Sequence, residues 1–225
     1  MPCNIGYRQI AKIAIPKPQS QEFKEKVKPP EIDEDLLEKI GDQDPVFAQW
    51  LGELKINPLL KAALDTAVTK VRGARSLSFS ITKNGNLIIG GRFASPEEKR
   101  NVESLVTQLS NQFQMEVLAI IVQLLDYEIT LMQEEQDKKI VLTLEGEKEA
   151  ASGIHKYLKI TRNSKGEGVF IFEHFASAQE LTAEQQKFLA LAQKLGIKIV
   201  IHEVEKGGQA IPIGTKHKDF LKEGQ

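Results

Sequence analysis

The chain has 225 residues, with 30 Lys+Arg against 31 Asp+Glu for a net charge of −1, and 41% of its residues are hydrophobic. That length suits one large domain or two small ones, the charge balance argues against a bulk electrostatic nucleic-acid binder, and the apolar content excludes general disorder. The single cysteine forbids an intrachain disulfide and a Cys-rich metal cluster, and no apolar run approaches the ~18 residues of a membrane span, so the expectation is a cytoplasmic protein with no membrane segment.

Residues 1–30 read as an extended N-terminal arm and linker. Apolar residues at Ile5, Tyr7, Ile13 and Ile15 make a broken alternation, a short strand at best, which stops at Pro16-Lys17-Pro18. Residues 31–72 read as a short helical segment of three helices. Asp33 caps a helix carrying Leu36, Leu37 and Ile40 and ending at Gly41. Asp44-Pro45 starts the second, with Phe47, Trp50 and Leu51 at helical spacing, and Asn57-Pro58 starts the third. Seven acids and one lysine, Lys39, fall within residues 31–44. Glu34, Asp35 and Glu38 are either an acidic docking surface or a solvated face whose acids serve the cap and the helix dipole. Phe47 and Trp50 either pack onto the rest of the chain or offer an aromatic anchor to a partner.

The remainder reads as two similar β-β-α-β-β units, at residues 73–147 and 154–214, followed by a basic tail at 215–225. In the first, Leu77-Ser78-Phe79-Ser80-Ile81 and Leu87-Ile88-Ile89 flank Asn84-Gly85, a hairpin signature. Ser95, Pro96 and Glu98 form a capping box ahead of a long apolar periodicity, one helix or two. Residues 127–131 and 140–144 make a second hairpin. The small polar stretch 146–153 separates the halves. In the second, residues 157–161 and 169–172 pair, Thr182 and Gln185 offer a capping box, Gly196 ends the helix, and residues 197–201 and 210–213 follow. Ile81-Thr82-Lys83-Asn84 matches Ile160-Thr161-Arg162-Asn163, and Phe93-Ala94-Ser95 matches Phe175-Ala176-Ser177, at offsets of 79 and 82 residues. The implied fold class is α+β, an internal repeat with each sheet covered by its helix.

Residues 76–144, about a third of the chain, hold Asn84-Gly85, Gln112-Phe113-Gln114-Met115, Asp126-Tyr127, Glu134-Glu135 and Ile140-Val141-Leu142 in that order. This order resembles a small family of unknown function found in cyanobacterial and plastid genomes. That family has no established catalytic residues, and its members accompany AAA-type ATPases. The resemblance therefore implies an accessory protein with such an ATPase system as partner.

No phosphate loop or dinucleotide fingerprint is present, so no cofactor is expected. Cys3 lacks a visible base, and Pro2 is not followed by the β-α-β unit that an N-terminal proline catalyst uses. All four histidines lie in the second half; His174 and His202 would form a metal site if their strands paired. Phe170 and Phe172 share a strand face near Lys156, Lys159, Arg162 and Lys165, the pattern of a nucleic-acid surface or of a core flanked by cations. With no nucleophile, base and orienter together, the expected function is that of a non-enzymatic adaptor acting through protein partners, with sheet edges open to strand addition or homodimer formation. A nucleic-acid-associated protein and a metal-dependent enzyme at His174 and His202 are the alternatives.

Overall fold

The computed structural model describes residues 7–14, 32–81, 87–93, 95–136, 139–149, 155–163 and 167–207, and of residues 7–14, 131–136, 139–140 and 200–207 the backbone alone. The chain is a mixed α+β protein built on antiparallel sheets. It divides into two compact units, Met1–Ile15 with Val122–Leu189 and Ile199–Gln225, and Pro16–Ile121 with Ala190–Lys198.

In the second of these units three helices follow one another: α1 Glu34–Gln43, α2 Pro45–Glu53 and α3 Ile56–Lys70. Gly41 does not end α1. The helix runs on to Asp44, which closes it with its own N–H on the Ile40 carbonyl at 2.7 Å and caps α2 through its carboxylate, which accepts the Phe47 N–H at 2.9 Å. Helix α3 starts before Asn57-Pro58, with Lys55 at its N-cap, so Pro58 lies inside the first turn. A proline is tolerated there because first-turn N–H groups have no intrahelical acceptor. Leu60, Ala63, Leu64 and Ala67 form its buried stripe. Gly73, at φ 88°, turns the chain into a short 3-10 segment, Ala74–Ser76. A hairpin of β2 Ser78–Ile81 and β3 Leu87–Gly90 follows; Asn84-Gly85 lies outside the described residues.

Helix α4, Pro96–Leu124, is one helix of 29 residues. Ser95 caps it, its hydroxyl accepting the Glu98 N–H at 3.2 Å. From Leu109 to Ala119 every residue is buried, with Ser110, Asn111, Gln112, Gln114 and Glu116 among them. Glu116 accepts from Gln112 and, at 2.8 Å, from Lys70 of α3, which matches its charge.

The first unit holds a six-stranded antiparallel sheet in the order β4-β5-β6-β7-β1-β8. Its strands are β1 Tyr7–Ala14, β4 Glu128–Gln136, β5 Lys139–Glu149, β6 His155–Asn163, β7 Glu167–Phe175 and β8 Val200–Gly207. Strands expected to fall into two sheets, one per half, are joined here, because β5 pairs β6 along its length, Leu144 opposite Ile160. Gly146, expected in a spacer, lies within β5. A Cβ there would come 3.0 Å from Val122 and 3.2 Å from Tyr127, so the glycine serves a close approach. The N-terminal segment is no loose arm over residues 7–14: it is an interior strand, antiparallel to β7 on one side and β8 on the other. The expected strand at 210–213 and the tail at 215–225 lie outside the described residues.

Helix α5, Ala178–Lys194, begins one turn before the expected Thr182–Gln185 box. Ser177 accepts the Glu180 N–H at 3.1 Å, and Glu180 accepts the Ala176 N–H at 3.0 Å; Thr182 donates instead to the Ala178 carbonyl. Gly196, at φ 80°, ends α5 as expected: Ile197 donates to Ala192 at 2.8 Å and Gly196 to Gln193 at 3.0 Å, a Schellman closure. Within the first unit the aromatic core lies between α5 and the sheet, with the Phe188 ring 5.1 Å from Phe170 and 5.7 Å from Phe172, both edge-on.

Candidate functional site

The surface of α1 and α2 is built by two aspartate caps. The Asp33 carboxylate accepts the Asp35 N–H at 3.0 Å, which orients α1 so that Ile40 is buried and Glu34, Asp35 and Glu38 are exposed. Asp44 then starts α2 with Pro45 in its first position, and Leu51 is fully buried. With Leu51 inward, the flank turned away from it carries Val46, 77% exposed, and Trp50, 36% exposed, one turn apart. Phe47, half-buried, packs its ring 5.3 Å from that of Trp50. Seven acids and a single lysine lie between residues 33 and 53. The result is an apolar stripe beside an acidic helix, with Trp50 only partly covered.

The four candidate cations do not share an exposed face. Strand β6 alternates, and Lys156 and Arg162 lie with Leu158 and Ile160 on its buried side. Burial pulls the Arg162 guanidinium down to about 10. Lys156 is bound to Glu180 of α5 at 2.6 Å and lies 5.2 Å from the Phe175 ring centre. Lys159 points to the other side and is bound to Glu145 at 2.6 Å. Lys165 lies outside the described residues. Phe170 and Phe172 are core.

His174 is buried at 1% exposure at an irregularity between β7 and β1, with φ 65°. Strand β1 separates β7 from β8, so the pairing on which a His174–His202 site depends is not present. The His202 side chain lies outside the described residues, as do Cys3 and Pro2. Among the described residues no group of three or more His, Cys, Asp or Glu side chains is placed to hold a metal ion, and no helix is long and apolar enough to cross a membrane.

Two polar clusters had no motif to announce them. On the sheet face away from Leu158, Tyr157 hydrogen-bonds Glu145, which also binds Lys159, and its ring lies 6.4 Å from that of His174. Burial first, and the carboxylates of Glu145, Glu173 and Glu147 next, push the phenol well above its ordinary range. A phenol held protonated is a hydrogen-bond donor rather than a nucleophile. On the helix-covered face, Lys148 and Lys156 are cross-strand neighbours. Glu184 and Glu180, one turn apart on α5, bind them at 3.3 and 2.6 Å. Tyr127 adjoins this cluster: Lys148 lies 5.3 Å from its ring centre and donates to the Leu125 carbonyl, and burial first, then the Glu184 carboxylate, push the Tyr127 phenol up. The i,i+4 pair Glu180–Glu184 was visible in the sequence; the strand register that sets two lysines before it was not.

No family model, curated protein or solved structure matches this chain.

Proposed function

We propose that this chain is a non-enzymatic accessory protein that works through protein–protein contacts, docking a basic, apolar segment of its partner on the α1–α2 surface. The carrying observation is the exposure of Val46 and Trp50, one helical turn apart, beside the exposed acids Glu34, Asp35 and Glu38. Aromatic side chains left partly open at a surface are the residue type that anchors interfaces, and the acidic surround selects a cationic partner and speeds its approach. The resemblance of residues 76–144 to the cyanobacterial and plastid family names an AAA-type ATPase system as the first partner to test. The low cysteine content supports a cytoplasmic location. A second reading concerns history: residues 73–147 and 154–214 descend from one β-β-α-β-β unit. It is supported by the serine of each Phe-Ala-Ser run capping the following helix, through Ser95 and Ser177.

The test is capture from the native host with the full chain, a Val46→Ser/Trp50→Ser variant and a Glu34→Lys/Glu38→Lys variant. Deleting residues 1–56 would remove β1 from the middle of its sheet, so point variants are the sound choice. A protein held by the parent and lost by both variants, with binding that blue-shifts the emission of Trp50, the only tryptophan, supports the reading. A partner held equally by all three overturns it. So does co-purifying nucleic acid whose retention falls steeply with salt, or stoichiometric bound metal in place of a protein.

A further inference from the structure

The two hairpins that precede α4 and α5 are built alike. In the first, Ile81 pairs with Leu87 and Ser80 with Ile88; in the second, Ile160 pairs with Phe170 and Lys159 with Ile171. Matching Ile81 to Ile160 therefore sets Ile88 on Ile171. The difference lies at the outer edge. Strand β7 carries β1 there, antiparallel, with Ile10 opposite Ile171. Among the described residues β3 carries no strand at the corresponding edge, Ile88 is 44% exposed, and Phe93 just beyond it is 52% exposed. Helix α3 contacts β2, the other strand of the ribbon. A two-stranded ribbon is marginal alone, and an unpaired edge is a template for another strand.

Charge selects the occupant. Edge strands are commonly guarded by charged residues. The two edges of the six-stranded sheet fit that rule: β4 carries Glu128, Glu134 and Glu135, and β8 carries Glu203, Glu205 and Lys206. Residues 87–91, Leu-Ile-Ile-Gly-Gly, carry no charge. An acidic edge that meets its own copy meets its own sign, whereas a neutral one does not. Antiparallel pairing of a strand with its own copy is also what a two-fold axis normal to the sheet generates, one residue facing itself.

We propose that the open edge of β3 pairs antiparallel with the same strand of a second copy of this chain, Ile88 opposite the partner subunit's Ile88, giving a four-stranded sheet across the dimer. This contact is separate from the α1–α2 surface and does not depend on it. Four-residue edges bury little area, so the dimer is weak, with a dissociation constant on the order of 100 µM.

Sedimentation equilibrium of the full chain, from about 10 µM to about 1 mM, reads it directly. The wild type is expected to pass from monomer to dimer across that range. Ile88→Lys and Ile88→Glu, at a site exposed enough to leave the thermal melt unchanged, are each expected to weaken dimerisation at least about tenfold. Their equimolar mixture is expected to restore it, because lysine then faces glutamate. Trp50→Ser is expected to leave it unaltered. A wild type that stays monomeric throughout overturns the proposal, as does a dimer that survives Ile88→Lys, or a mixture that stays monomeric. A dimer abolished by Trp50→Ser but not by Ile88→Lys also overturns it, and assigns self-association to the α1–α2 surface.

Discussion

Replacing Glu180 by Gln tests how α5 is registered on the sheet. Lys148 and Lys156 face each other across β5 and β6, an arrangement that repels when directly opposite. The Lys156 side chain is 9% exposed and bound at 2.6 Å to Glu180, itself 33% exposed, while Lys148 and Glu184 are 23% and 9% exposed at 3.3 Å. A fully buried pair broken from one side costs about 3–5 kcal/mol, since the remaining charge is left without its counter-ion. Glu180 keeps a third of its surface in water, so solvent recovers part of that loss. Glutamine also retains an oxygen for the Ala176 N–H that Glu180 accepts. The expected cost of Glu180→Gln is therefore about 2 kcal/mol, or roughly 4–8 °C in Tm for a chain of this size. Lys156→Met together with Glu180→Gln removes the orphaned ammonium and the repulsion on Lys148. The double variant is expected within about 1 kcal/mol of the parent. Urea unfolding of the four proteins in a double-mutant cycle gives the coupling directly. A coupling below about 0.5 kcal/mol, the level of an exposed pair, would refute the claim that these charges lock the helix in register.

Gly168→Ala is expected to cost more than about 3 kcal/mol, since its Cβ would collide with the Thr161 backbone carbonyl, which no rotamer change relieves; soluble yield and urea midpoint measure it. Asp44→Ala removes the carboxylate that starts α2 and is expected to lower stability by about 1 kcal/mol, whereas Asp44→Asn should retain most of it. Tyr127 and Tyr157 both have their phenols pushed up, chiefly by burial. The native state then holds those protons more tightly than the unfolded chain, so their contribution is fully present below pH ~10 and is lost as pH rises beyond it. Absorbance at 295 nm should show both phenols ionising together with alkaline unfolding; a reversible titration of either in the folded protein near pH ~10 contradicts their placement.

The local chemistry of this chain was open to reading because local rules act within a few residues. Asp33, Asp44 and Ser95 cap helices where aspartate and serine preceding an apolar periodicity should, and Gly196 closes α5 with the left-handed turn that glycine favours. The exposed acids on α1 and the half-open aromatics on α2 follow from the same helical spacing. Two helices start earlier than their expected caps: α3 follows Lys55, which supplies no side-chain cap, rather than Asn57, and α5 takes Ser177 as its cap in place of Thr182.

What sequence order cannot carry is which strand lies beside which. Alternation in β1 set its two faces, but nothing in residues 7–14 states that they lie between β7 and β8, far along the chain. The same holds for the join of β5 to β6 and for the separation of His174 from His202 by an intervening strand. Buried cations make the point most directly. Lys156 and Arg162 read as surface charges in a linear pattern, yet the pleat of β6 turns them to the side that carries α5. Helical and turn preferences are energies of neighbouring residues and can be read from them. Strand pairing, and the counter-charges it supplies, are set by contacts between distant segments, and only the tertiary structure decides those.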